Sequence, residues 1–185
     1  AIPTYYSSKL IEDTINPLLN NKIIDEIVVT DDSEDENEFN ELSRKINNLV
    51  KNSSVKIKIS KNSKKLGGFK NKFHSVSKTS NDFVYQIDSD NIPSYKSLQF
   101  IEKSPENIFD KDLLYLPSRI YLFKKSKYEA LYKSRSRIIF SKKTKRITPK
   151  YLQNALNQNI NFVKDKDVTW LLNVGNPFFY KESYL

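Results

Sequence analysis

An uninterrupted run of apolar or neutral residues, Phe83-Val84-Tyr85-Gln86-Ile87, stops abruptly at Asp88-Ser89-Asp90-Asn91. A run of this length reads as a central strand buried on both faces, and such strands belong to sheets covered by helices on either side. Two carboxylates, one residue apart, then stand where the strand emerges. Side chains placed in this way offer oxygen ligands to a hard divalent cation, which can in turn hold a diphosphate. The structural alternative is that Asp88 caps the turn before Pro93.

The rest of the chain alternates strand-like and helix-like segments, the pattern of a parallel α/β sheet. Ala1–Thr4 reads as the end of a strand. Lys9–Leu19 carries Leu10, Ile11, Thr14, Ile15, Leu18 and Leu19 at helical spacing, and Pro17 should end or kink that helix near its last turn. Asp25–Thr30 holds a short buried strand at Ile27-Val28-Val29. Asp35 and Glu38 have capping-box spacing ahead of Phe39, Leu42, Ile46 and Leu49, which share a helical face. Val55-Lys56-Ile57-Lys58-Ile59 alternates with period two, as a half-exposed strand does. Gly67-Gly68 opens a helix running to about Thr79, and Pro93 suits the first turn of a helix containing Leu98, Phe100 and Ile101.

Beyond about Ser104 the pattern is less regular. Leu113–Leu116 and Arg119–Phe123 are strand-like, and Tyr128–Lys133 fits either state. Thr148-Pro149 has the form of an N-cap followed by Pro at the first helical position, starting a helix to about Asn157. Asn176–Tyr180 reads as a further strand. No repeat or linker divides the 185 residues, so they are read as one domain with a first half, 1–103, and a second half, 104–185. The chain contains no Met, and its first residue already lies in a strand-end motif, so it reads as a fragment, incomplete at both ends.

Composition narrows the chemistry. There is no cysteine, which excludes disulfides and thiolate metal sites and makes a cytoplasmic setting the expectation. The single histidine, His74, excludes a multi-histidine zinc site and reads as a packing or surface residue. No stretch approaches the roughly 18 apolar residues of a membrane span. The net charge of +9 implies attraction to anions, whether nucleotide, phospholipid surface or nucleic acid, unless it is only a lysine-rich background.

In an open parallel sheet, ligands bind beyond the carboxyl ends of the strands. Four motifs lie at such ends or in the turns that follow: Thr4-Tyr5, Asp31-Asp32-Ser33, Lys64–Asn71 and Asp88–Asn91. Strand position alone gathers them on one edge.

On these residues the chain resembles the nucleotide-binding half of a family 2-type glycosyltransferase with the GT-A fold, a Rossmann-like three-layer sandwich around a mostly parallel sheet. The matching stretches are Ile2-Pro3-Thr4-Tyr5, Glu26–Asp35, Asn62, Gly67-Gly68-Phe69-Lys70-Asn71 and Asp88-Ser89-Asp90. The likeness covers residues 1–103 and returns faintly at Gly175–Tyr180. The order and spacing of the motifs carry it, since no single one is specific.

The resemblance implies a hexosyltransferase that uses a nucleoside-diphosphate sugar, expected to be a UDP-sugar, with Mn²⁺ or Mg²⁺, and inverts the anomeric carbon. Pro3, Thr4 and Tyr5 match the turn around base and ribose. Asp31 matches the acid that accepts a hydrogen bond from the base, and an acceptor-only carboxylate suits the imide N–H of uracil. Its bland reading is a turn cap. Where Asp32 stands, family members often have Gly, and the substitution could narrow the loop or add charge. Gly67 and Gly68 let backbone approach a phosphate, and Lys70 could neutralise it, with a point charge where the family usually has Arg. Lys64 and Lys65 are second choices for phosphate. Asp90 is expected to ligate the metal. Asp88 is expected to contact sugar or ribose or to bind the metal through water, with Ser89 between them in the donor site.

The implied acceptor is a saccharide or a lipid-linked molecule. The basic stretch Lys124–Arg146 could hold it peripherally at the inner face of the cytoplasmic membrane, or could be solvated surface. Trp170 could stack on an acceptor sugar, and Phe178-Phe179 is expected to pack beneath that site. The general base of an inverting transferase falls in the family beyond the segment resembling Asn176–Tyr180, hence beyond Leu185. Asp165, Asp167 and Glu182 stand in no convincing motif for it. Two other readings stay open. A nucleotidyltransferase would want a Gly- and Arg-rich loop after the first strand, where Thr4-Tyr5-Tyr6-Ser7-Ser8 stands. A nucleic-acid-binding module would use the charge and the eleven tyrosines, but no recognised motif appears, so nucleic acid is not the expected partner.

Overall fold

The computed structural model describes residues 1–93, 95–103 and 176–183. These belong to one compact unit formed by Ala1–Tyr115 and Gly175–Leu185. The expected elements at Leu113–Leu116, Arg119–Phe123, Tyr128–Lys133 and Thr148–Asn157 lie outside the described residues. So do Lys124–Arg146, Asp165, Asp167 and Trp170.

The described elements are β1 (Ile2–Thr4), α1 (Ile11–Leu19), β2 (Glu26–Asp31), α2 (Glu36–Val50), β3 (Lys56–Lys61), α3 (Gly68–Ser77), β4 (Phe83–Tyr85), α4 (Tyr95–Lys103) and β5 (Phe178–Tyr180), followed by a 3-10 turn at Lys181–Ser183. Strands β1, β2 and β3 form a parallel sheet with β2 in the middle, in a register that pairs Ile2 with Val29 and Val29 with Ile59. The short connections and intervening helices require this sense, since parallel neighbours need a crossover.

The run Phe83–Ile87 departs from a simple parallel strand. Only Phe83–Tyr85 is laddered, antiparallel to β5, with Val84 opposite Phe179. On its other side, Ala1 N donates to Tyr85 O at 2.8 Å and Ile87 N donates to Ala1 O at 3.0 Å, while Gln86 N donates to Pro177 O at 3.0 Å. The run is therefore central in that it has backbone neighbours on both sides. Its last two residues are held by single bonds to two different segments rather than by a ladder.

Alternation along the strands sorts the core into two faces. Ile2, Ile27, Val29 and Phe178 pack with Ile11, Ile15 and Leu18 of α1, Leu42 and Ile46 of α2, and Leu98 of α4. Val84 and Phe179 point the other way and pack with Val76 of α3. Helices on both faces make the three-layer arrangement. Full burial of an Ile or Leu side chain stabilises by about 1.5–3 kcal/mol, so the first cluster is the main source of stability.

Local signals explain most boundaries. Asp35 caps α2, its Oδ1 accepting from Asn37 N at 2.9 Å. The second half of the expected capping box is missing, because Glu38 instead accepts from Ser8 N at 2.7 Å and Ser8 Oγ at 2.9 Å, bracing the loop after β1. Pro17 sits inside α1, which ends two residues later at Leu19. Pro93 is buried just before α4 rather than in its first turn.

Candidate functional site

The carboxyl ends of β1, β2 and β3 lie on the same edge of the parallel sheet, and the turn after β4 joins them. Between these loops lies a cleft of about 420 Å³. The end of β1 supplies Pro3 and Thr4 to its lining, and the loop that follows supplies Tyr5, Tyr6, Ser7 and Leu10. Asp32 follows β2, Lys65, Gly67 and Gly68 follow β3, Asn71 and Lys72 come from α3, and Asp88, Ser89 and Asp90 follow the β4 run. Eight of the residues marked by the sequence, Pro3, Thr4, Tyr5, Gly67, Gly68, Asp88, Ser89 and Asp90, thus share one cleft. Asp31 and Lys70 do not line it.

Asp31 is fully buried beside the cleft. Its Oδ1 accepts from Thr4 Oγ1 at 2.8 Å and Ser33 Oγ at 2.9 Å. Its Oδ2 has no hydrogen-bond partner among the described residues. A buried acceptor left without a donor is uncommon.

Asp32 is also buried, and its carboxylate is fully used. Oδ1 accepts from Leu66 N at 2.7 Å and Asn62 Nδ2 at 2.9 Å, and Oδ2 accepts from Gly67 N at 2.8 Å. Of the glycine pair expected to let backbone approach a phosphate, the Gly67 N–H is therefore already occupied. The N–H groups of Gly68, Phe69 and Lys70, the first turn of α3, are the ones left for an anion.

Asn71 ties the strand ends together beneath this loop. It accepts from Thr30 Oγ1 at 2.9 Å and from Asn62 Nδ2 at 2.9 Å, and donates to Thr4 O at 3.2 Å and Thr30 O at 3.0 Å.

The β1 loop carries an aromatic pair. Tyr5 and Tyr6 meet edge to face at 4.8 Å, and both are about half exposed, at 48% each. Tyr6 has φ +49°, a left-handed conformation that costs a bulky L residue about 1–2 kcal/mol. Ser33 Oγ accepts the Tyr6 N–H at 2.7 Å and helps hold that geometry. Lys65 Nζ donates to Tyr5 Oη at 2.8 Å and lies 3.4 Å from Glu34.

The acidic turn is anchored at its middle. Ser89 Oγ and Ser7 Oγ share a hydrogen bond of 2.7 Å, and Thr14 Oγ1 lies 2.9 Å from both the Ser89 and Asn91 carbonyls. Asp90 is exposed. Asp88 is half-buried and pairs with Lys72, whose Nζ is 2.8 Å from Oδ1 and 2.9 Å from Oδ2. Burial pushes the Asp88 carboxyl above the usual range, with the Lys72 ammonium opposing and the neighbouring Asp90 charge adding to the rise.

Among the described residues no three acidic or histidine side chains form a metal-binding group. Among the described residues, the acidic turn offers the two carboxylates of Asp88 and Asp90. This fits Mg²⁺ or Mn²⁺, which are commonly held by one or two carboxylates together with substrate phosphates and water.

Other marked residues fall elsewhere. Lys70 and Lys64 are exposed outside the cleft lining, and His74 is partly buried on α3. Phe178 stacks on Tyr85 at 4.1 Å, and Phe179 is fully buried, so both are core beneath the acidic turn. Lys72 was not singled out by the sequence motifs. Helical spacing could have found it, because Lys72 lies four residues after Gly68 and shares its face, whereas Lys70 is about 200° round the helix.

The chain belongs to glycosyl transferase family 2, whose family model matches residues 1–159. Membership carries the GT-A fold class expected from the motifs. Among solved structures the chain is similar to Staphylococcus aureus TarS 1–349, with 26% identity and a TM-score of 0.44, over 55% of this chain and 29% of that one. It is also similar to the mannosyltransferase PcManGT of Pyrobaculum calidifontis in complex with GDP-Man and Mn²⁺, with 17% identity and a TM-score of 0.44, over 52% of this chain and 28% of that one. The chain thus spans less than a third of either. No curated protein matches it.

Proposed function

We propose that this chain carries the donor site of a transferase that moves a hexosyl group from a nucleoside-diphosphate sugar, in the first instance a UDP-sugar, to a saccharide or lipid-linked acceptor with inversion. The observation that carries the reading is the convergence of four strand-end loops on one cleft, with the unpartnered Asp31 carboxylate oxygen at its side.

In this reading the Tyr5 ring packs against the base and Asp31 Oδ2 accepts a base N–H. The first-turn N–H groups of α3 face the phosphates, where the positive end of the helix dipole favours negative charge. Asp90, with Asp88 beside it, would hold Mn²⁺ or Mg²⁺, which when bound neutralises charge on the departing diphosphate. The protein's own part is to orient the diphosphate and exclude water from the anomeric carbon. The proton of the attacking hydroxyl needs a general base, and none of the described acids is assigned that role.

No described helix is long and apolar enough to cross a membrane. We place the acceptor at the inner face of the cytoplasmic membrane, approached through Lys124–Arg146.

The test is calorimetric titration of UDP and GDP with and without Mn²⁺, for the wild type and Asp90→Ala. Binding of UDP over GDP, weakened by Asp90→Ala, is the expected result. Equal, weak binding of both nucleotides in every sample would sink the donor-site reading.

A further inference from the structure

Lys72 lines the cleft and, unlike the exposed Lys65, is partly buried there. It stands one turn into α3 on the face of Gly68, and its ammonium spans both oxygens of Asp88 at 2.8 and 2.9 Å. Both side chains are mostly shielded, at 21% and 24% exposure, so the pair is less screened than a surface ion pair. Gln86 Nε2 adds a third contact, 3.2 Å from Asp88 Oδ1. Asp88 is thus engaged by protein donors on both oxygens, so Lys72 competes with a metal ion for its inner sphere.

Among the described residues, two other lysines are candidates for this place. Lys65 lines the cleft but is committed to Tyr5 and Glu34 at its rim, and Lys70 lies outside the lining. An ammonium has three protons. With Nζ 2.8 and 2.9 Å from the two Asp88 oxygens, its third donor is the one that can serve an anion in the cleft that Lys72 lines.

We propose that Lys72 is a built-in cation of the diphosphate subsite. It holds Asp88 away from direct metal ligation, leaves the metal to Asp90, and gives diphosphate binding a component that persists without metal. The proposal rests on the donor-site reading above and adds to it the source of part of the positive charge.

The experiment has two arms, each run on the wild type, Lys72→Met and Lys72→Arg after a thermal melt confirms folding. In the first, UDP is titrated calorimetrically in EDTA and in Mn²⁺. In the second, Mn²⁺ alone is titrated and its free fraction followed by electron paramagnetic resonance. The wild type should retain UDP binding in EDTA. Lys72→Met should lose about tenfold or more of that affinity, the scale of one charge-assisted contact to phosphate, and Lys72→Arg should keep most of it. Lys72→Met should also bind Mn²⁺ more tightly than the wild type, because Asp88 is released.

Wild-type UDP binding abolished by EDTA, or Lys72→Met binding UDP in EDTA like the wild type, would overturn the Lys72 assignment while leaving the donor site standing. Unchanged or weaker Mn²⁺ binding by Lys72→Met would overturn the claim that Lys72 withholds Asp88. No UDP binding by the wild type under any condition would remove the donor site and this proposal with it.

Discussion

Asp32 Oδ2 accepts the backbone N–H of Gly67 at 2.8 Å, joining the end of β2 to the start of α3 across 35 residues of sequence. With the Leu66 N–H at 2.7 Å on the other oxygen, one buried carboxylate organises the turn that leads into α3 at the cleft. Gly is common at this position in the family by the resemblance drawn above. Here a side chain fills the loop and supplies the acceptors that fix its path.

Replacing Asp32 with Ala leaves the Leu66 and Gly67 N–H groups without their acceptor. The expected loss is about 1–3 kcal/mol, the cost of stranding part-buried donors. Urea unfolding followed by circular dichroism measures it. Asp32→Asn keeps one acceptor oxygen and should fall between wild type and Asp32→Ala. A loss below about 0.5 kcal/mol, the range of an ordinary surface change, would show that the carboxylate does not hold the loop.

The adjacent glycines should respond differently. Gly67 has φ +82°, and a Cβ there would meet nothing within 4 Å, so only backbone strain opposes Gly67→Ala. With ψ 156° this is the extended positive-φ region that is essentially reserved for glycine, and the expected cost is about 1–3 kcal/mol. Gly68 begins α3 in ordinary helical conformation with the same open space. Gly68→Ala should be neutral or stabilise by up to about 1 kcal/mol, since Ala loses less entropy in a helix. Thermal melts should therefore show a lowered midpoint for Gly67→Ala and an unchanged or raised one for Gly68→Ala, and equal losses in both would contradict the backbone assignment.

Much of this was legible in the chain and some was not, for physical reasons. The 3.6-residue spacing of Ile11, Ile15 and Leu18 and of Leu42 and Ile46 identified α1 and α2, because burial of those faces is what stabilises the helices. The strand-end rule was enough to bring Thr4, Gly67 and Asp88 to one edge. Distant partners were not readable. Glu38 had local capping geometry available but turns to Ser8, 30 residues away. Asp31 and Asp32 look interchangeable in sequence. The first ends β2 with its side chain toward Thr4 and Ser33, whereas the second turns to the α3 loop, a distinction set by alternation at the strand end. Motif position marks Lys70 and passes over Lys72, while the face of α3 that reaches the cleft is decided by helical geometry.

Tyr6 is the one described non-glycine residue with positive φ, and its ring lines the cleft. Tyr6→Asn should raise stability by about 0.5–1 kcal/mol, because Asn tolerates the left-handed region that Tyr does not. Ser33→Ala should do the reverse, since it removes the oxygen that accepts the Tyr6 N–H and one of the two donors to Asp31 Oδ1. Chemical denaturation of the two variants checks both signs. If Tyr6→Asn destabilises, packing of the ring against Tyr5 outweighs the backbone strain.

At the opposite end of β2 from the cleft, Glu26 offers a pH-dependent test of the sheet. Its carboxylate lies 2.6 Å from Lys58 Nζ on β3 and accepts from Ser80 N at 2.7 Å and Ser80 Oγ at 3.0 Å. Burial pushes its pKa up, but the Lys58 ammonium and the two Ser80 donors outweigh that and hold it below the usual carboxylate value. A depressed folded-state pKa means that the unfolded chain binds the proton more readily. The stability contributed by Glu26 is then fully present above the unfolded value of about 4.3 and is lost as pH falls through the lower folded value. Glu26→Gln should therefore be less stable than wild type at pH 7, by about 1–3 kcal/mol for the loss of charged hydrogen bonds. The gap should close as both proteins are taken below the carboxylate range, where wild-type Glu26 is protonated and resembles Gln. Urea unfolding of the pair at a series of pH values isolates this residue from the other carboxylates, which titrate in both. A gap that stays constant down to the acid limit would mean that the charge on Glu26 contributes nothing and that only its shape matters.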